Sequence, residues 1–157
     1  MTIIVDTREK PRAITKILAE FDRQGVKYVR RALSYADYFN PSRPDRIIDR
    51  KQNLLEVAGN VVQQRLRFLR EVDRCNRAGC HMIVLVEHGG KIRSLDDVIN
   101  WKNPRLKVSP LAVSGERLFK IMKQIELTYG IEWQFCSKAQ TGKKIIEILR
   151  GESDGTI

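Results

Sequence analysis

Cysteine and histidine are scarce in this sequence. Its 157 residues include two histidines and three cysteines, Cys75, Cys80 and Cys136. An odd number of cysteines without a C-x-x-C pair does not predict a disulfide framework, and it lacks the spacing of a zinc knuckle. We therefore expect free thiols, which suit a reducing compartment.

Long apolar runs are missing as well. No stretch approaches the roughly 18 apolar residues that a membrane span needs. The opening M-T-I-I-V-D lacks the basic start of a signal peptide. The stretch T-G-K-K at 141–144 is not a P-loop, because the earlier glycine and the following serine or threonine are absent. These absences predict a cytoplasmic protein that has no membrane contact and no nucleotide cofactor.

Acidic residues are too few to balance the basic ones. Lys and Arg number 29 and Asp and Glu 19, so the formal net charge is +10. A charge of this size bears on partners rather than on the fold, and DNA or another phosphate polymer is the commonest such partner. The alternative is a basic structural protein whose charged side chains are simply solvated at its surface and bind no nucleic acid.

The spacing of apolar residues alternates between strand and helix periods. Strands are predicted at 3–6, 26–33, 35–39, 46–51, 81–87 and 131–136. Helices are predicted at 14–21, 54–75 (irregular at Gly59), 94–101, 117–129 and 141–150. This order predicts an α/β fold with a mixed sheet flanked by helices. No linker divides the chain, so we expect a single domain over residues 1–151 and a frayed tail at 152–157.

Two of the predicted strands, 35–39 and 46–51, are joined by a loop rich in turn formers and suit an antiparallel hairpin. With Arg43 at the tip, paired residue numbers sum to 86, and Asp37 faces Asp49. Opposed carboxylates repel each other unless a cation lies between them, and Mg²⁺ (or Mn²⁺) suits oxygen ligands. Lys51 shares a strand face with Asp49 and is placed to assist phosphodiester hydrolysis. The alternative is a surface strand of mixed charge.

A second charged group follows the first strand. Asp6, Arg8 and Glu9 lie at its carboxyl end, where α/β sheets often form a functional crevice. The alternative is a solvated turn.

Three motifs follow in order: V-D-T-R-E at 5–9, L-S-Y-A-D-Y at 33–38 and I-D-R-K at 48–51. They resemble the patterns V-D-x-R-E, L-x-x-G-D-Y and E-R-K-x-x-x-D of the nuclease domain of the XPF/Hef family. The resemblance covers residues 3–87 in the family's spacing. The stretch from 101 to 142 is similar to stand-alone phage and prophage members, which places the protein in a bacterial or phage-infected host cell.

The resemblance implies a restriction-endonuclease-like fold and metal-dependent cleavage of DNA, often branched DNA. It implies that Asp37 and Asp49 bind the metal and that Lys51 is the catalytic lysine. Asp6 and Glu9 would be further acidic members of the catalytic site. Arg8 would contact DNA. Arg50 would either bind a DNA phosphate or make a structural contact within the protein. Three positions depart from the pattern, because Ala36 replaces Gly, Asp49 replaces Glu and Leu55 replaces the final Asp.

Further basic residues are candidates for DNA contact. Arg65 and Arg67 on the long helix suit either phosphate contact or a solvated face. Lys102, Arg105 and Lys107 form another basic group, beside which Trp101 suits either stacking on an unpaired base or packing in the core. DNA would be held by the domain itself, by a second copy in a homodimer or by a partner protein. The rival to an active endonuclease is an inactive nuclease-like module that binds DNA, which the leucine at position 55 favours.

Overall fold

A six-stranded mixed sheet organises the computed structural model, which describes residues 1–151. The strands are β1 (Thr2–Val5), β2 (Lys27–Arg30), β3 (Tyr38–Phe39), β4 (Arg46–Lys51), β5 (His81–Glu87) and β6 (Glu132–Cys136), in the order β2-β1-β3-β4-β5-β6. Strand β3 is antiparallel to β1 and β4, whereas the other neighbours are parallel. The predicted α/β class with a mixed sheet is therefore confirmed. The tail at 152–157, for which fraying was predicted, lies outside the described residues.

In the described part of the chain, five α-helices cover the two faces of this sheet. They are α1 (Thr15–Arg23), α2 (Leu54–Ala58), α3 (Arg65–Arg77), α4 (Gly115–Tyr129) and α5 (Thr141–Arg150). Short 3-10 segments lie at Pro11–Ala13, Leu95–Asn100, Pro104–Lys107 and Lys138–Gln140. Within residues 1–151, no helix combines the length and apolar character that crossing a bilayer requires.

The alternation of side chains along the central strands divides the interior into two cores. Ile48 and Leu85 belong to one core with the buried residues of α1 and α5. Ile47 and Val84 belong to the other, with residues of α2, α3 and α4. Each central strand is thus buried on both faces, and polar groups near its end are held rigidly.

The predicted helix over 54–75 is present but divided. Asn53 caps α2 by accepting a hydrogen bond from the backbone N–H of Glu56 at 2.9 Å. A π turn over Gly59–Gln63 follows, and non-helical backbone at Gln64 separates it from α3. Such turns shift the face that the following helix presents, and they are frequent at functional sites.

Strand β3 is shorter than predicted, because the chain bends before it. Ala36 has a left-handed backbone with a φ of 63°, which costs a non-glycine residue about 1–3 kcal/mol and cannot continue a strand. The pairing register is nevertheless the predicted one, since Tyr38 faces Ile48 and Phe39 faces Ile47. Asp37 therefore lies one residue before β3, at the position that faces Asp49.

Candidate active site

A cavity of about 210 Å³, which we call the acidic pocket, opens beside the end of β4. The sheet contributes Asp49 and Lys51, and the bend before β3 contributes Asp37. Helix α3 forms the opposite wall with Arg67, Phe68 and Glu71. The structure thus brings together the three residues at the centre of the sequence prediction.

Backbone pairing positions Asp37 against Asp49. The N–H of Asp37 donates to the carbonyl of Ile48 at 2.9 Å, which ties the residue before β3 to β4. The N–H of Arg50 donates to Oδ2 of Asp37 at 2.7 Å, so the carboxylate is held as well as its backbone. Burial, followed by the nearby charges of Asp49 and Glu9, raises the pKa of Asp37 well above its ordinary value. Two carboxylates enclosed in this way favour a proton or a cation between them.

Lys51 supplies a positive charge to the same pocket. Its Nζ lies 3.0 Å from Oδ2 of Asp49 and 5.9 Å from the centre of the Phe68 ring. Burial lowers the pKa of Lys51, but the charges of Asp49 and Asp37 outweigh burial and raise it above its ordinary value. The ammonium group is therefore charged, which suits stabilisation of a phosphate rather than proton abstraction.

Glu71 is a pocket residue that the sequence analysis missed. Its Oε1 accepts a hydrogen bond from the N–H of Ala36 at 2.8 Å and so holds the left-handed bend that presents Asp37. A signal was available, because Glu71 lies four residues after Arg67 and shares its helix face. Arg65, by contrast, is half-buried outside the residues that line the pocket.

Asp6 and Arg8 form a pair at the edge of the pocket. Oδ2 of Asp6 accepts from Nε of Arg8 at 2.6 Å, and Oδ1 accepts from the N–H of Leu33 at 2.8 Å. Asp6 is fully buried with both oxygens engaged, whereas Arg8 lines the pocket and stays largely exposed. Asp6 therefore orients Arg8 and the chain after β2, and it does not line the acidic pocket.

The structure corrects the expected placement of Arg50 and Glu9. Arg50 alternates to the opposite face of β4 from Asp49 and is only 5% exposed. Its guanidinium donates to both oxygens of Glu9, at 2.6 and 3.0 Å, and to Glu87 at 2.5 Å. This face is closed to solvent, so in the structure Arg50 makes the structural contact, one of its two predicted roles. Side chains alternate between the two faces of a strand, so the sequence already indicated that Arg50 points away from the face that carries Asp49 and Lys51.

Glu87 and Thr141 complete this buried network, and neither was singled out from the sequence. Oε2 of Glu87 accepts from the Thr141 hydroxyl at 2.5 Å, which ties the end of β5 to the start of α5. The network joins residues 41, 37 and 54 positions apart in the chain. The network therefore stabilises β4 on the face opposite the acidic pocket.

We expect Glu87→Gln to lower the free energy of unfolding by about 1.5–3 kcal/mol, because a hydrogen bond to a charged group is lost in the interior. Urea denaturation of the metal-free protein measures the change. Glu132→Gln is the control, since Glu132 meets His81 at 3.4 Å on an exposed surface and should change stability by less than about 0.5 kcal/mol. Equal effects of the two substitutions would contradict this stabilising role of the network.

The donor set of the acidic pocket fits a hard divalent cation. In residues 1–151, no group of three or more His, Cys, Asp or Glu side chains is placed to hold a metal ion. Magnesium, however, is commonly bound by one or two carboxylates while water and phosphate complete its shell. Asp37 and Asp49 supply those two carboxylates. Leu55, at the position of the missing acid, lines a neighbouring cavity and adds no ligand.

Fold and pocket together define a restriction-endonuclease-like α/β protein in which an acidic pair and a lysine share one cleft. Residues 5–149 match the family model of the ERCC4 domain, and the chain belongs to this family of XPF-type nucleases. No curated protein matches the sequence.

Solved structures agree with the fold. XPF from Aeropyrum pernix superposes with a TM-score of 0.69 at 19% identity, covering 98% of this chain and 65% of that chain. A complex of XPF from Aeropyrum pernix with DNA gives a TM-score of 0.67 at 18% identity, covering 99% of this chain and 66% of that chain. The present chain thus spans just under two thirds of these relatives.

Proposed function

We propose that this protein is a divalent-metal-dependent endonuclease that hydrolyses phosphodiester bonds in DNA. The observation that carries the proposal is the arrangement of Asp37, Asp49 and Lys51 around one open pocket. Family membership supports nuclease chemistry, and the similar structure in complex with DNA supports DNA as the partner.

Each pocket residue has a role in this proposal. Asp37 and Asp49 would hold Mg²⁺ or Mn²⁺, which when bound supplies charge for the phosphate and a more acidic water. Lys51 places its ammonium where negative charge develops on the attacked phosphate. The backbone of Arg50 and the carboxylate of Glu71 hold Asp37 in position, so that the pocket is formed before substrate arrives.

Two arginines extend the pocket towards the DNA backbone. Arg8 and Arg67 line it from opposite walls, and both side chains are exposed. The guanidinium of Arg67 makes no hydrogen bond or ion pair with another residue in the range 1–151. These two side chains are therefore positioned to bind the phosphates on either side of the cleaved bond.

We extend the proposal to branched DNA as the substrate, which the resemblance to XPF-type nucleases favours, and to a cytoplasmic location. A homodimer is proposed as one way to hold the second arm of such a substrate. The second candidate function is an inactive module that binds DNA. It is favoured by the leucine at position 55 and by the absence, within residues 1–151, of three acidic, histidine or cysteine side chains placed to hold one metal ion.

Cleavage by the pure protein tests the proposal. Labelled flap, fork, junction, single-strand and duplex DNAs should be cut internally in Mg²⁺ or Mn²⁺, with the branched substrates cut fastest, and should stay intact in EDTA. Because EDTA removes the cation that would offset charge on the phosphate and make the attacking water more acidic, it should abolish the activity. Tight binding of these DNAs without cleavage in either metal would reject the endonuclease and support the inactive module.

A further inference from the structure

A second cavity, of about 630 Å³, adjoins the acidic pocket. One wall comes from α2 and the π turn, and the other from residues 103–113. Gly59 and Gln63 line the second cavity, whereas their neighbours Asn60 and Gln64 line the acidic pocket. A single helical turn, with a backbone radius of about 2.3 Å, therefore separates the two cavities. A polymer held in the acidic pocket reaches the second cavity within a few monomer units.

The rim of the second cavity is apolar and open to solvent. Leu111 lines the cavity at 89% exposure and Leu55 lines it from α2 at 36% exposure, and Val108, close by in the chain, is 80% exposed. Single exposed leucines are ordinary, but several around one cavity mark a binding surface. Trp101 does not contribute, because it is buried in the core against the ring of His88.

Positive charge surrounds the same rim. Arg105 lines the cavity, and Lys102 and Lys107 are exposed close by in the chain. Within residues 1–151, the guanidinium of Arg105 makes no hydrogen bond or ion pair. The wall also holds Glu56, whose carboxylate accepts a hydrogen bond from the N–H of Gln52 at 3.3 Å. The surface therefore combines uncommitted cations with apolar side chains.

We propose that the second cavity binds unpaired nucleotides of a single-stranded DNA arm. Duplex DNA presents phosphates and hides its base faces, whereas an unpaired strand presents both. Phosphates match Arg105 and the nearby Lys107, and base faces match Leu111 and Leu55, since unstacked bases pack against apolar side chains. The inference rests on the proposed DNA endonuclease and names the part of the substrate that adjoins the cleaved bond.

Equilibrium binding of two fluorescent probes tests the inference. One is a single strand of roughly 15 thymidines, within the length that one such site covers, and the other is a duplex of equal length. Anisotropy is recorded in EDTA at one salt concentration. The double variant Leu111→Ser, Leu55→Ser should bind the single strand about tenfold more weakly and the duplex within about twofold of wild type.

Leu127→Ser is the matched control, because Leu127 is 74% exposed on α4 and does not line the second cavity. It should leave both affinities unchanged. Unchanged single-strand binding by the double variant, or equal losses on both probes, would overturn the inference. A double variant that turns from dimer to monomer in sedimentation would also overturn it, because the surface would then join two copies of the chain.

The measurement separates this inference from the proposed function. Binding in EDTA needs no cleavage, so a selective loss in a protein that never cuts DNA would support the single-strand site and reject only the endonuclease. A protein that cuts DNA but whose double variant keeps its single-strand affinity would support the endonuclease and reject only the site.

Discussion

Asp37→Asn and Asp49→Asn should each lower the rate of DNA cleavage by about 10³-fold or more. A bound cation contributes several kcal/mol to the stabilisation of the transition state, and each 1.4 kcal/mol is worth about tenfold in rate. Neither substitution changes the shape of the pocket, and the amide oxygen that Asp37→Asn introduces can still accept from the N–H of Arg50. Single-turnover cleavage in saturating Mg²⁺ measures the loss.

Asp37→Asn should not damage the metal-free protein. Asp37 is half-buried and opposes the buried Asp49, so a neutral amide at position 37 relieves repulsion while Lys51 keeps Asp49 as its partner. Relief of about 1 kcal/mol would raise Tm in EDTA by about 2–4 °C for a domain of this size. A lower Tm of Asp37→Asn together with lost activity would mean that this carboxylate is structural rather than metal-binding.

Asp45→Asn is the control for these two variants. Asp45 lies in the hairpin loop of the same sequence region, where it pairs with Arg43 and Arg46 at 3.4 and 3.3 Å on the surface. Its substitution should leave cleavage within about twofold of wild type, because exposed ion pairs contribute little. Wild-type cleavage by Asp37→Asn or Asp49→Asn would remove the acidic pocket as the catalytic site.

Lys51→Ala should lower single-turnover cleavage by about 10²–10³-fold while changing DNA affinity by less than about threefold. The loss is of the size expected when one preorganised donor to a developing negative charge is removed. Affinity should change little, because 29 lysines and arginines share the attraction for phosphate. Cleavage and equilibrium binding are measured on the same substrate.

Lys51→Arg should restore only part of the rate. The lysine side chain is 9% exposed between Asp49 and the Phe68 ring, where a planar guanidinium cannot take the place of a compact ammonium. Lys16→Ala, on the exposed surface of α1, is the control and should behave as wild type. Parallel losses of cleavage and binding in Lys51→Ala would show that Lys51 holds DNA and does not act at the transition state.

Local patterns were enough to predict much of this protein. The antiparallel register that opposes Asp37 and Asp49 followed from the loop between two strands, because each step along one strand is matched by a step along the other. The helix caps at Asn53 and Ser114 are equally local, because each side chain accepts a hydrogen bond from a backbone N–H only three residues away. Features of this kind depend on short stretches of chain, so they can be predicted from the sequence.

Three motifs in order were also enough to indicate the family from the sequence. The family model that matches residues 5–149 confirms it. The roles of the individual site residues remain predictions, which the substitutions above address.

Only the tertiary structure decided which other charged residues meet. Arg50, for which a phosphate or a structural contact was predicted, is enclosed with Glu9 and Glu87, and Glu71 reaches Ala36 across 35 positions of the chain. The second cavity likewise forms between the π turn and residues 103–113. These contacts depend on how elements that are distant in the sequence pack against each other, and residue spacing along the chain does not predict that packing. The sequence alone determined the sheet and its acidic pair, whereas the packing of α3, α5 and the 103–113 segment determined what surrounds that pair.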